Sequence, residues 1–490
     1  MIIISPKIEY HYELERLSAL FFPMERHITQ ETAGEEDNYL SADANTTDDG
    51  VKIDVVLCRN SNKLETHIIA PLSELEYVEE EMLLARYVYL LLSKLTGTTQ
   101  QWGVLTGVRP VKLLGYAIDS GMDYEKLKVA FVEKRCLSPE KYELALKTHL
   151  HERAILNRST PDSYSLYVGI PFCPSRCSYC SFVSHSIERA GKLLEPYLEN
   201  LCKEIIKTAE VANELNLKLR TIYIGGGTPT ILSDKQLEKL MKTINDSFDV
   251  KSAWEYTVEA GRADTITKEK LEVIKKYNAT RISINPQTFN DDVLVAIGRK
   301  HTANDTIEKF KIARELGFDN INMDIIAGLP TDTLDSFKAT VDKLIELSPE
   351  NITVHTLSVK RSADLNDENA KERLREAHMT EDMVSYAQKN ILDENYVPYY
   401  LYRQKNMIGN LENTGFCKEG YEGLYNVYIM DETHTILACG AGSVTKLRLP
   451  KSQKLERIFN YKFPYEYIDN FDEILVRKEK VKEFYEADNI

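Results

Sequence analysis

The stretch from Ser165 to Phe182 constrains this chain more than any other. Ser165–Ile170 is a run of apolar, β-branched and aromatic residues, and it passes through Pro171-Phe172 into Cys173, Cys177 and Cys180, spaced CxxxCxxC. A buried strand that empties into a thiol-rich loop places those thiols at the strand's carboxyl end. Three thiolates on so short a loop can converge on one soft metal centre. The spacing alone leaves three readings open. An iron–sulfur cluster uses cysteines in this way, and three ligands leave one iron of a 4Fe–4S cluster free for chemistry. Structural zinc wants four ligands; His185 is the nearest candidate fourth, and no second CxxC exists in the sequence. Buried free thiols are the third reading, although such residues rarely cluster.

Beyond Ser163 the hydrophobic pattern alternates between strand and helix. Strand-like runs at Ser165–Ile170, Thr221–Ile224, Tyr256–Glu259, Arg281–Ile284, Ile321–Ile326 and Ile352–Leu357 are each followed by a helical pattern. The helical patterns are Leu193–Leu215, Asp234–Ser247, Lys268–Lys276, Asp305–Leu316, Leu334–Leu347 and Thr380–Leu392. Six βα units of this kind predict an α/β fold, a parallel sheet curled into a partial (β/α)6 TIM-like barrel. In such barrels the site gathers at the carboxyl ends of the strands, where the cysteines lie.

The 490 residues are enough for two or three domains. Residues 1–160 are expected to form an α+β accessory domain, 164–395 the barrel, and 396–490 a subdomain over its mouth. In the first of these, Ile2–Tyr12 alternates like a strand, Glu13–Phe22 suits a short helix, and Val51–Leu57 and Leu64–Ala70 suit paired strands. Thr29–Gly50 is acidic and rich in Thr, Asp and Gly, the composition of a loop or hairpin tip. Glu76–Thr96 has a helical period, and Thr106–Lys112 interrupts the pattern with Arg109 and Lys112, a solvated loop or an anion anchor. In the last domain, Tyr425–Met430 and Thr435–Cys439 suit strands, with a helical region from Tyr465.

A net charge of −15 argues against nucleic acid or an anionic membrane as a general partner. The start lacks the pattern of a secretory signal. The apolar run Leu83–Leu95 is too short to span a bilayer and is broken by Arg86 and Lys94. The remaining cysteines, Cys58, Cys136, Cys202, Cys417 and Cys439, are scattered, as in a reducing cytoplasm.

The cysteine motif at a strand end, followed by Gly225-Gly226-Gly227-Thr228-Pro229-Thr230, resembles the radical S-adenosylmethionine (SAM) superfamily. Tyr167–Phe182, the glycine segment, Arg281–Gln287 and Asp324–Pro330 together resemble the oxygen-independent coproporphyrinogen III oxidase family. The long N-terminal extension and Cys439-Gly440-Ala441-Gly442-Ser443 resemble its HemZ branch. The resemblance implies a 4Fe–4S cluster held by Cys173, Cys177 and Cys180, with SAM chelating the open iron. It implies SAM contacts from Gly226, Gly227 and Thr228, from Glu259 to the ammonium, from Arg299 to the carboxylate, and from Gln287 and Asp324 to polar atoms such as the ribose hydroxyls. Tyr179 and Ser358 match positions near the adenine, and Tyr167 matches a tyrosine ahead of the cysteines. A zwitterionic cofactor needs both signs of charge around it, and Arg can clamp a carboxylate with two parallel bonds.

The implied activity is oxidative decarboxylation of coproporphyrinogen III to protoporphyrinogen IX, with a low-potential ferredoxin or flavodoxin as electron donor. The alternatives are haem binding and delivery, as in HemW relatives, and radical methyl transfer with ring opening of haem. The HNxxYW segment of HemW relatives has no match between Asn410 and Tyr428. Two positions depart from the family pattern: Gly169 stands where a histidine is common, and Ser181-Phe182 where the oxidases carry Gly-Cys. For a tetracarboxylate substrate, Lys360, Arg361, Arg403, Lys405 and Lys446 are candidate anchors, and Tyr399, Tyr400 and Tyr402 either line a pocket or pack the fold.

Overall fold

The computed structural model describes all residues except 24, 32–36, 181, 183, 359–369, 405–406, 450–453 and 488–490, with backbone alone for 370–376. Its contacts divide it into two units. One comprises Met1–His149, Glu368–His378 and Leu401–Glu412, and the other Leu150–Asp367, Met379–Tyr400 and Asn413–Ile490.

The first unit is built on a five-stranded sheet in the order β2-β1-β3-β4-β5. Its strands are β1 (Ile2–Ile4), β2 (Ile28–Gln30), β3 (Tyr39–Thr47), β4 (Gly50–Arg59) and β5 (Asn62–Ala70). Val51, Ile53, Val55 and Leu57 of β4 are buried in strict alternation, the period of a sheet with one covered face. Helices His11–Phe21 and Glu80–Thr96 cover that face through Leu14, Leu17, Leu84 and Val88. Two expectations are only partly met here. The acidic stretch Thr29–Gly50 ends in the hairpin tip between β3 and β4, but it also contains β3 itself, whose inward residues Leu40, Ala42 and Ala44 are too small and too interleaved with polar neighbours to stand out by composition. The strand expected over Ile2–Tyr12 stops at Ile4, and the chain turns into helix by His11.

The second unit carries an eleven-stranded sheet in the order β14-β15-β13-β12-β11-β10-β9-β6-β16-β17-β18. Six of its strands are the expected parallel set: β6 (Ser163–Ile170), β9 (Lys218–Gly226), β10 (Glu255–Gly261), β11 (Arg281–Ile284), β12 (Ile321–Ala327) and β13 (Asn351–Thr356). The short pair β7 (Phe172–Cys173) and β8 (His185–Ser186) stands apart and closes the cysteine loop. Five crossover helices join the parallel strands: Leu194–Glu214, Asp234–Ser247, Lys268–Lys276, Ala303–Glu315 and Leu334–Leu347. Their starts are written in the sequence. Ser233 and Gln236 form a reciprocal capping box, Thr302 and Asp305 form another, and Thr267 and Thr333 cap two more with their hydroxyls, while helix Leu194–Glu214 starts without a side-chain cap. The result is the open, partial barrel that the βα pattern predicts.

Residues 397–459 extend this sheet at both edges. β15 (Asn413–Cys417) pairs antiparallel with β13 and β14 (Val397–Tyr402) lies outside it, β16 (Thr435–Cys439) runs parallel to β6, and β17 (Val444–Arg448) and β18 (Leu455–Phe459) follow as antiparallel strands. Leu424–Asp431 is helical, so the strand expected at Tyr425–Met430 is absent. Its first backbone N–H groups, those of Leu424 and Tyr425, donate to buried Glu255 at 2.6 and 3.3 Å, an anion at a helix start that the strand reading did not anticipate.

The turn after β16 is held from beneath. Glu204, fully buried on helix Leu194–Glu214, accepts from Gly440 N–H at 2.8 Å, Asn460 Nδ2 at 2.7 Å and Tyr467 O–H at 2.6 Å, and pairs with Lys478 at 2.7 Å. Removing one partner of such a pair leaves the other charge buried and unpaired. Glu204→Ala is expected to destabilise the protein by about 3–5 kcal/mol. Urea unfolding checks this, and a loss below about 1 kcal/mol would contradict it.

Candidate active site

The site is assembled at the carboxyl ends of β6 and β9–β12. In register, Tyr167 and Gly169 of β6 lie beside Tyr223 and Gly225 of β9, and Glu259 of β10 lies beside Ser283 of β11. Leu166, Val168 and Ile170 are completely buried on the opposite face of β6, which leaves Tyr167 and Gly169 to the barrel interior. There Tyr167, Tyr223 and Tyr425 stack, with Tyr223 and Tyr425 centroids 4.5 Å apart.

From Ile170 the chain enters the cysteine loop. Phe172 and Cys173 pair with His185 and Ser186, and His185 N–H donates to Pro171 O at 2.9 Å. Cys180 N–H donates to Cys177 O at 3.1 Å, and Ser178 N–H to Ile297 O at 3.2 Å. Cys173 and Cys177 are buried and Cys180 is half-buried. Burial holds the Cys173 and Cys180 thiols above their ordinary pKa, and each is further raised by its neighbouring cysteines. Among the described residues no three His, Cys, Asp or Glu side chains already stand together at ion-holding distance. The cysteines instead share one loop, within electrostatic reach of one another.

Two donors face the sulfurs. Thr228 Oγ1 donates to Cys173 Sγ at 3.4 Å, and Arg262 Nη1 to Cys177 Sγ at 3.7 Å. Arg262 also donates to Ser175 Oγ at 2.9 Å and makes a two-pronged ion pair with Asp264 at 3.0 and 2.7 Å. Donors of this kind stabilise thiolate and tune a sulfur-ligated cluster. The sequence reading missed Arg262, yet its position was a signal: it follows Gly261 at the carboxyl end of a barrel strand.

The glycine turn fits closely against the loop. Gly227 N–H donates to Ile170 O at 2.7 Å and Thr228 N–H to Phe172 O at 2.9 Å. A Cβ on Gly227 would lie 2.6 Å from Phe172 O and 3.0 Å from Cys173 Sγ, so only glycine permits this approach. Gly226 has φ +108°, a backbone state that other residues rarely adopt.

Acids and bases then flank the turn. Tyr223 O–H donates to Glu259, and burial, reinforced by nearby Asp324, pushes the Glu259 carboxyl up to about 7. Asp324 is pulled the other way: burial opposes ionisation, but His355 and the 2.7 Å bond from Asn322 Nδ2 hold it below the usual range. Gln287 occupies φ +65° and donates its N–H to Asp324 O at 2.9 Å. Arg299 Nη1 donates to Asn285 O at 2.8 Å and Nη2 to Tyr179 O–H at 3.1 Å. Burial opposes its charge, but Tyr179 and Cys177 outweigh that and hold the guanidinium above its ordinary value.

The structure thus groups Cys173, Cys177, Cys180, Tyr179 and Arg299 at the loop, and Tyr167, Gly226, Gly227, Thr228, Glu259, Gln287 and Asp324 along the strand ends. Ser358 lies two residues beyond β13 and is half-buried. Lys360, Arg361 and Lys405 lie outside the described residues. Arg403 is unsuited to anchoring a substrate. It is 4% exposed, donates to Leu105 O at 2.6 Å, and is lowered to about 10 by burial. Lys446 lies 3.8 Å from Glu432, and Tyr399 and Tyr400 pack in the interior. Arg109 is the residue just before helix Pro110–Asp119, at a loop-to-helix junction.

The donor set fits a cluster and a zwitterionic nucleoside. Gln287 Oε1, Asn285 Oδ1 and Arg299 Nε are buried without a hydrogen-bond partner among the described residues, polar atoms that a bound ligand would satisfy. The thiols are backed by donors, the glycine turn exposes backbone, and both signs of charge are present.

Comparisons with known proteins agree with this geometry. Residues 167–344 match the model of the radical SAM superfamily. Over 409 residues the chain is 41% identical to the oxygen-independent coproporphyrinogen-III oxidase-like protein HemZ of Bacillus subtilis, covering 81% of this chain and 80% of that one. The haem chaperone HemW of the same organism is 33% identical over 314 residues, 61% of this chain and 77% of that one. The oxygen-independent coproporphyrinogen III oxidase of Pseudomonas aeruginosa is 34% identical over 203 residues, 40% of this chain and 43% of that one.

Proposed function

Because the chain belongs to the oxygen-independent coproporphyrinogen-III oxidase-like family of radical SAM proteins, we propose that it oxidatively decarboxylates coproporphyrinogen III to protoporphyrinogen IX. The family uses a 4Fe–4S cluster and SAM, which when bound supply a 5′-deoxyadenosyl radical. The net change at a propionate is transfer of a β-hydrogen atom to that radical, release of carbon dioxide and loss of one electron to a one-electron acceptor, leaving a vinyl group. The protein's own task is placement and exclusion of water.

The observation that carries this reading is the meeting of the three-cysteine loop with the Gly226–Thr228 turn, flanked by Arg299, Glu259, Gln287 and Asp324. In this account Cys173, Cys177 and Cys180 hold the cluster, backed by Thr228 and Arg262. Arg299 binds the SAM carboxylate and is oriented by Asn285 and Tyr179. Glu259 and Asp324 take the ammonium and ribose side, with Gln287 between them. Among the described residues no helix is long and apolar enough to cross a membrane. We place the protein in the cytoplasm with a ferredoxin or flavodoxin as donor.

Glu259 gives the reading a pH signature. With a carboxyl near 7 before SAM binds, the anion that accepts from the SAM amino group is depleted below that value and predominates above it. SAM affinity should therefore rise across about pH 6 to 8, by up to roughly tenfold per unit on the acid side, with a proton released on binding. Glu259→Gln should flatten that dependence. Calorimetry in buffers of different ionisation heat checks both, and an equally steep profile in the variant would remove Glu259 from the site.

The HemW relative favours one other reading, haem binding without SAM turnover. Anaerobically reconstituted protein given SAM, reductant and either coproporphyrinogen or haem separates the two. Vinyl-bearing product supports decarboxylation. Tight haem binding with no 5′-deoxyadenosine formed would replace it with haem carriage.

A further inference from the structure

Glu255 and Glu259 stand four residues apart on β10, while Tyr256 and Val258 are buried on its other face. Side chains alternate across a strand, so both acids project into the barrel, roughly 13 Å from one another along the strand. Glu259 is at the carboxyl end, beside the glycine turn. Glu255 is at the other end, where it accepts from Leu424 N–H and Tyr425 N–H at the start of helix Leu424–Asp431. That helix links the two acids through a ring. Tyr425 stacks on Tyr223 with centroids 4.5 Å apart and planes 22° apart, and Tyr223 O–H donates to the Glu259 carboxylate. We propose that Tyr425 and Tyr223 are positioning residues for the SAM site: the helix pinned on Glu255 holds Tyr425 against Tyr223, and Tyr223 holds the Glu259 carboxylate for the SAM amino group.

Three observations support the assignment. First, the helix is seated by charge at its start. Glu255 is 4% exposed and takes Thr257 Oγ1 at 3.0 Å besides the two helix N–H groups. Gly423 then brings the chain so close to Arg281 of β11 that a Cβ there would lie 3.4 Å from Arg281 Cζ. Second, the strand leaves room for the contact that matters. A Cβ on Gly225 would lie 2.7 Å from Tyr223 Cε1 and 2.8 Å from Glu259 Oε2, so the ring and the carboxylate meet over a glycine. On the neighbouring strand a Cβ on Gly169 would lie 3.3 Å from Cε1 of Tyr167, whose ring stacks on both Tyr223 and Tyr425. Third, Glu259 depends on β9 for its hydrogen bonds. Asp324 of β12 repels its charge, Arg281 of β11 attracts it, and Tyr167 and Tyr425 flank it. Against its burial, Tyr223 O–H and Gly226 N–H of β9 stabilise the anion. Loss of the phenol therefore raises the carboxyl further without removing it.

This inference rests on Glu259 as the acceptor of the SAM amino group, and the test separates the two. SAM affinity of the anaerobically reconstituted protein is measured by calorimetry from about pH 6 to 9 in wild type, Tyr223→Phe, Tyr425→Leu and the double variant, with iron content as the check on folding. The titration of SAM itself is common to all four and cancels. Tyr223→Phe should move the rise in affinity upward by about one pH unit. That reads as roughly three- to tenfold weaker binding near pH 7 and affinity within about twofold of wild type near pH 9. Tyr425→Leu should move the profile the same way by less. The double variant should go no further than Tyr223→Phe, because Tyr425 acts through Tyr223. Tyr223→Phe keeps its ring and decides the matter by itself if Tyr425→Leu loses iron. An unchanged midpoint in Tyr223→Phe, or a loss by the same factor at every pH, would overturn the positioning role and leave Glu259 in place. A wild-type affinity that does not rise with pH would overturn the Glu259 assignment, and this inference with it.

Discussion

Cys177→Ala is expected to abolish the brown 4Fe–4S chromophore and with it all reductive cleavage of SAM. In the proposed assignment the cluster depends on three protein thiolates with no replacement at hand: His185 lies on β8 with its ring packed edge-on against Phe463, and the other cysteines are scattered through the fold. Cys177 is the sulfur that faces Arg262, so its removal also leaves the guanidinium without that acceptor. Two thiolates alone do not hold a cubane at useful affinity. Iron and sulfide analysis of anaerobically reconstituted protein reads the result. Wild-type iron and sulfide in the variant would contradict the ligand assignment. Arg262→Lys provides a graded companion: the cluster should form, with its reduction potential or line shape altered, because a point charge replaces the fork that reaches Ser175, Asp264 and Cys177 together.

The second large effect belongs to Arg299. Truncation to alanine should spare the cluster and weaken SAM by roughly 30- to 1,000-fold, the cost of about 2–4 kcal/mol for losing a buried charge-assisted contact. Arg299 is 7% exposed and its Nε has no hydrogen-bond partner among the described residues, donor capacity that a bound ligand would use. Because the same side chain supports Asn285 O and Tyr179, Arg299→Lys is the control. It retains charge without the planar fork and should fall between the two. Equilibrium dialysis with labelled SAM measures the affinity, and an unchanged value in the alanine variant would remove Arg299 from the carboxylate.

Much of this was legible in the sequence for identifiable reasons. The parallel strands are continuous apolar runs because both faces are covered, and their crossover helices announce themselves with Ser233, Thr267, Thr302 and Thr333 caps. The cysteine loop and the glycine turn were legible because their chemistry demands particular residues at short spacing. What was hidden is non-local or depends on packing. β16 lies beside β6 although more than 260 positions separate partners such as Ser165 and Ile436, and periodicity carries no information about such a pairing. Tyr425–Met430 has the composition of a strand, but Glu255 stabilises the start of a helix there. β3 buries alanines, which leave almost no hydrophobic signal. Arg262, Tyr223 and Asn285 escaped notice because single polar residues near strand ends are common, and only their convergence marks them.

The account stands or falls on whether the radical reaches a propionate. Coproporphyrinogen III carrying deuterium on its propionate β-carbons, supplied with SAM and reductant to the reconstituted protein under anaerobic conditions, gives the most direct answer. The account predicts that deuterium appears in the 5′-deoxyadenosine as vinyl product accumulates. Unlabelled 5′-deoxyadenosine with the tetrapyrrole recovered unchanged would contradict it.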